Sequence, residues 1–194
     1  MSARRSTRGA SLGELLIVLA IIGLVGSGAW LALAEVREAW AGREAARGLV
    51  ADLRGVATEA RRQRRSLAIE VDFLAARWRL LGDGNGNGVT AADIASGVDA
   101  PQTAWRRLFR EGRARLGVTR DLPAADGVGV VLAGSAPIQL GAAPRLVFTP
   151  RGTASAASLY IVGGDDRAYA IRILGSTQRV RLVCLGVQGV WEAC

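Results

Sequence analysis

The chain has 194 residues, with 25 arginines, no lysine and no histidine against 17 aspartates and glutamates, for a net charge of +8. That length, with half the residues hydrophobic, fits one folded domain with an appendage and excludes both wholesale disorder and a polytopic membrane protein. Without His or Lys there are no imidazole bases, His-zinc sites, Schiff-base lysines or P-loop lysine, and Cys184 and Cys194 do not make a redox Cys-x-x-Cys pair, so the sequence reads as no enzyme.

In chain order, a basic leader with Arg4, Arg5 and Arg8 precedes residues 15–34, which carry no charge and no proline and match the length of a membrane-crossing helix. The positive-inside tendency keeps the amino end cytoplasmic and places the chain beyond residue 34 across the membrane. A secretory signal peptide has a similar outline, but this apolar run is too long for its core, and Glu14 sits at the amino-terminal edge where burial is costly.

The run Gly9-Ala10-Ser11-Leu12-Gly13-Glu14-Leu15-Leu16-Ile17-Val18 resembles the prepilin signature of type IV pilins and type II secretion pseudopilins. The resemblance implies cleavage between Gly9 and Ala10 by a prepilin peptidase and N-methylation of Ala10. It also implies that Glu14 meets the amino terminus of a neighbouring subunit during assembly. An ammonium and a carboxylate that are each costly in lipid offset one another when paired. Ala10 and Gly13 depart from the pattern, where Phe and Ile are usual.

Beyond the apolar run, Ala46, Leu49, Val50, Leu53, Val56, Ala57 and Ala60 recur at intervals of three and four, which predicts an amphipathic helix over 35–65. Arg61, Arg62, Arg64 and Arg65 close it. They read as cations at the negative end of a helix dipole, with a nucleic-acid patch as the other reading. Leu67, Ile69 and Val71 then alternate, as do residues 77–80, predicting a β-hairpin on the helix. Trp105, Leu108 and Phe109 share a helical face in an arginine-rich stretch, read as a short helix or an irregular connection. Strands are expected at 128–132, 145–148, 159–162, 168–174 and 179–185, with Gly152, Gly163 and Gly164 as positive-φ turn residues.

The carboxyl half, Arg145-Leu146-Val147-Phe148-Thr149-Pro150-Arg151-Gly152-Thr153, then residues 158–162, 168–173 and 176–181, looks like the ending of the GspH/FimT pseudopilin domain. The expected fold is α+β and type IV pilin-like, a long amino-terminal helix packed on an antiparallel sheet. Its divisions are a leader (1–9), a membrane half (10–34), an amphipathic half (35–65) and an extracytoplasmic β-rich domain (66–194). The implied location is the bacterial inner membrane, single-pass, with a periplasmic carboxyl-terminal domain. The implied partners are other pilin-like subunits, the prepilin peptidase and the membrane. The function implied is that of a minor pseudopilin in a type II secretion pseudopilus.

FimT-type minor pilins that bind DNA during natural transformation supply the alternative, since their Gly-Arg-x-Arg tail is matched here by Arg179 and Arg181. Gln178 occupies the motif's glycine position, where a Cβ is expected to keep the backbone from the turn that aims both guanidinium groups. Removing the leader arginines takes the charge from +8 to +5, still favouring polyanions. Asp83, Asn85 and Asn87 begin like a calcium loop, but Ile94 stands where a bidentate Glu is wanted and Asp93 comes one residue early; the other reading is a polar Gly-Asn turn, with no cofactor. Cys184 and Cys194 close a short loop in a compartment where disulfides persist, so a bridge is expected, with an unpaired terminal thiol as the alternative.

Overall fold

The structure, a computed structural model, describes residues 12–109, 114–141 and 145–194, with the side chains of 25–39 outside that description. The chain divides into two compact units, 1–37 and 38–194. One helix, α1 (Leu12–Gln63), has no internal proline and contributes to both. It ends because Arg64 turns left-handed at φ 53°, while the Arg65 and Arg64 amides donate to the Ala60 and Arg61 carbonyls. That closure usually employs glycine; here an arginine bears the strain. In the first unit every side chain from residue 12 to 24 is exposed. Among the described residues no helix is long and apolar enough to cross a membrane.

In the second unit, β1 (Leu67–Asp72) and β2 (Arg77–Gly82) form the expected hairpin, pairing Leu67 with Gly82 through Asp72 with Arg77. A short helix, α2 (Ala91–Ser96), comes after it. Next are β3 (Arg106–Arg107), β4 (Ala114–Leu116), β5 (Leu122–Pro123), β6 (Val130–Val131), β7 (Ile138–Leu140) and β8 (Leu146–Phe148). The chain finishes with β9 (Ala157–Gly163), β10 (Ala168–Leu174), β11 (Arg179–Leu185) and β12 (Trp191–Ala193). They make a four-stranded sheet in the order β3-β2-β1-β8, a six-stranded sheet in the order β12-β11-β10-β9-β4, and a β5-β6 ribbon. The sixth strand, β7, pairs with the first half of β9, and β4 pairs with the second half of the same edge.

Burial keeps to the period of two along the larger sheet. Leu159, Ile161, Tyr169, Ile171, Ile173 and Val180 join Leu67, Trp78, Leu80 and all seven residues of the predicted α1 stripe in one core. Their neighbours Tyr160, Ala168 and Ala170 join Val118, Leu122, Ala124, Ala125 and Val131 in a second core on the opposite face. Covered on both sides, β9 has all seven residues buried. Gly42 lets α1 come close to the β9-β10 turn, since a Cβ there would lie 2.8 Å from Gly163 Cα.

Two expectations are corrected and one alternative is decided. Of the two readings for 105–109 the helix is ruled out and the connection is irregular apart from a two-residue strand: Arg106 and Arg107 pair with Trp78 and Arg77, and Trp105 stacks against the guanidinium groups of Arg77 and Arg79 at 4.6 and 4.5 Å. Strand pairing and stacking outweigh a three-residue apolar spacing. The expected strand at 128–132 shrinks to two residues, with Gly127 and Gly129 at positive φ on either side of Val128. Gly152 has φ 87° as expected, but in the β9-β10 turn the left-handed residue is Asp166 at φ 57°, and the role of Gly163 is close approach to Gly42.

Candidate functional site

Gly9 and Ala10 lie outside the described residues. Glu14 falls in the first turn of α1, where a carboxylate is favoured by the positive end of the helix dipole. Around it the helix is apolar on every side: Leu12, Leu15, Leu16, Ile17, Val18, Leu19, Ile21, Ile22 and Leu24 all expose more than half of their surface. A helix hydrophobic all round is built to be surrounded.

At the other end of the sequence, β11 alternates Arg179 exposed, Val180 buried and Arg181 exposed. Val180 belongs to the core beneath α1, so both arginines stand on the opposite face of the sheet. Arg172 on β10 lies directly across from Arg181 and adds a third guanidinium to that face, a neighbour that only the strand register reveals. None of the three is ion-paired among the described residues. The expectation for Gln178 is overturned: it takes the left-handed conformation, φ 53°, despite its Cβ. What holds it there is its side chain, 4% exposed, whose Nε2 donates to the Thr149 and Thr153 carbonyls at 2.6 and 2.8 Å. Further along, β11 and β12 bring Cys184 and Cys194 to a Cα separation of 5.3 Å, and the two are joined as a disulfide.

The segment after β2 is a closed polar loop. Asp83 is buried, and its carboxylate accepts from the amides of Gly86 and Gly88 at 2.6 and 2.9 Å. Asn85 accepts from the Asn87 amide through Oδ1, and Asn87 Nδ2 donates to Asp93 Oδ2. That side-chain amide, and after it the Thr90 hydroxyl, holds the Asp93 carboxyl below its ordinary range. Thr90 also caps α2 by accepting from the Asp93 amide. Asp99, 1% exposed, completes the loop by accepting from Gly84 and Thr90 at 2.9 Å each. Sequence reading did not anticipate it, because nothing local links it to Asp83. The oxygens of the calcium-like motif thus serve the loop's own amides. Among the described residues no group of three or more His, Cys, Asp or Glu is placed to hold a metal ion.

Comparison with known proteins adds an assignment to this geometry. The chain is similar to the minor pseudopilin EpsH from the Type 2 Secretion System of Vibrio cholerae, with 14% identity and a TM-score of 0.41 over 75% of this chain and 98% of that one. No curated protein matches it. A family model described as type II transport protein GspH matches residues 45–177, a span that takes in the buried stripe of α1, the four-stranded sheet and the six-stranded sheet through β10. By that match over more than half its length, the chain belongs to the GspH family of type II transport proteins.

Proposed function

We propose that the chain is a minor pseudopilin, made with a leader over residues 1–9 that is cut between Gly9 and Ala10. Residues 10–34 then anchor it in the inner membrane with the domain on the periplasmic side, and Ala10 is methylated. The observation that carries this reading is the stretch 12–24, a helix apolar on all sides and exposed throughout, with Glu14 in its first turn. Lipid and the equivalent helices of other pilin-like subunits cover such a surface, and Glu14 offsets the ammonium of a neighbour's amino terminus. As a member of the GspH family the chain is a structural subunit and not an enzyme.

The test is mass spectrometry of membrane-extracted protein together with a Glu14→Ala variant. An amino terminus at Ala10, and a variant that is cleaved and inserted but assembles poorly, are the expected results. An intact Met1, or normal secretion by the variant, contradicts the reading. A second reading, DNA binding during uptake, draws on the exposed Arg179 and Arg181 with the half-buried Arg172 beside them. It ranks second because such a face also serves as an ordinary solvated strand surface.

A further inference from the structure

The end of α1 borders a polar cleft of about 660 Å³ that the sequence motifs do not announce. Its walls are Arg64, Arg65 and Ser66 after the helix, the loop 83–88, and the turn of Thr149, Pro150, Arg151 and Thr153. Arg61 reaches the same turn, its Nη2 lying 3.9 Å from where a Cβ on Gly152 would sit. Arg61, Arg64, Arg65 and Arg151 are exposed, and among the described residues none is paired with a carboxylate. The one carboxylate in the walls, Asp83, is buried and engaged with the amides of Gly86 and Gly88.

The cleft is also held in shape. Arg64 is kept left-handed by the helix closure. The turn carrying Arg151 is bound by Thr149 N donating to Thr153 O at 2.8 Å and is braced from behind by Gln178. Unpaired guanidinium groups on fixed backbone lose little on binding and match carboxylates in two-point contacts.

We propose that this cleft binds an acidic segment of a neighbouring protein in the secretion assembly, its carboxylates engaging Arg64, Arg65 and Arg151 with Arg61 at the rim. Charge complementarity selects an anion. The walls select a protein rather than a nucleic acid: they contain no aromatic side chain on which an unpaired base could stack, and a duplex is too broad to enter a cleft of this size. The proposal rests on the secretion reading for the identity of the partner, while the binding itself belongs to the isolated chain.

Full-length protein in detergent is titrated with a fluorescent decaglutamate peptide at rising salt. The wild type is expected to bind, with affinity falling as salt increases. Arg64→Gly with Arg151→Gln is expected to weaken binding about tenfold or more, a glycine being the natural residue for the left-handed position so that the fold is retained. Arg107→Gln with Arg120→Gln removes the same net charge elsewhere and is expected to leave binding unchanged. Equal loss in both double variants, no loss in the first, or tighter binding of a duplex oligonucleotide through the same two arginines overturns the proposal. Leader cleavage plays no part in this titration, so failure of the processing test and failure here are separate results.

Discussion

The two faces of the six-stranded sheet are closed by different means. Beneath α1 the core is made by repetition: a helical stripe at intervals of three and four meets alternate strand residues, all apolar. On the other face the irregular stretch between β4 and β7 is fastened by particular bonds. Tyr160 Oη accepts from the Ala125 amide at 2.9 Å, and Trp191 Nε1 donates to the Pro123 carbonyl at 2.8 Å. The first face is held mainly by area, the second by a smaller apolar core together with a few directional contacts. The first is expected to tolerate substitutions that preserve volume, whereas the second depends on individual atoms.

The contrast can be broken most forcefully at Leu53, which is 2% exposed in the helix-side core. Leu53→Ala is expected to cost about 2–5 kcal/mol in a denaturant titration, and a loss well under that range removes the claim that area holds this face. Tyr160→Phe keeps the ring but leaves the Ala125 amide unpaired, with an expected cost of about 1–3 kcal/mol. Hydrogen exchange sharpens the point: amides of 117–135 are expected to speed up while those of 46–60 do not, and equal acceleration on both sides argues for one undivided core.

The smallest effect belongs to charge. Hydrogen bonds from Arg62 and then Gln63 lower the Glu59 carboxyl from its ordinary 4.5 to about 2. Because the folded value is depressed, the pair's contribution is present above about pH 4.5 and is lost as the pH falls toward about 2. Glu59→Gln is expected to lower the denaturation midpoint slightly at neutral pH, and the gap from wild type is expected to close over that acid window. A gap that persists at the acid end assigns the effect to packing instead.

The same division explains what the sequence made legible. All seven residues of the α1 stripe are buried, and β10 and β11 begin and end where alternation places them, because a buried periodic face leaves its period in the sequence. The 105–109 stretch misled because Trp105, Leu108 and Phe109 imitate a helical spacing, while the groups that fix the stretch, Arg77 and Arg79 against Trp105 and β2 against Arg106 and Arg107, lie far back in the chain. The helix α2 did leave a local signal: Thr90 and Asp93 stand three apart, as in a capping box, with Gly97 at the other end. Asp99 across from Gly84, Gln178 behind the Thr149 turn, and Arg151 beside Arg64 left none. Such pairings exist only once the register of distant strands is set.

The position of β9 has a consequence for the order in which the molecule becomes whole. Strands β9, β10 and β11 pair with their sequence neighbours, so their contacts are local and form early. The helix must wait for them, and its bond from Arg54 to the Val180 carbonyl joins groups 126 residues apart. The apolar stripe of α1 therefore stays uncovered on its larger side until the final strands have been synthesised. A product that stops before residue 157 presents that stripe to solvent, and to any protease or chaperone within reach.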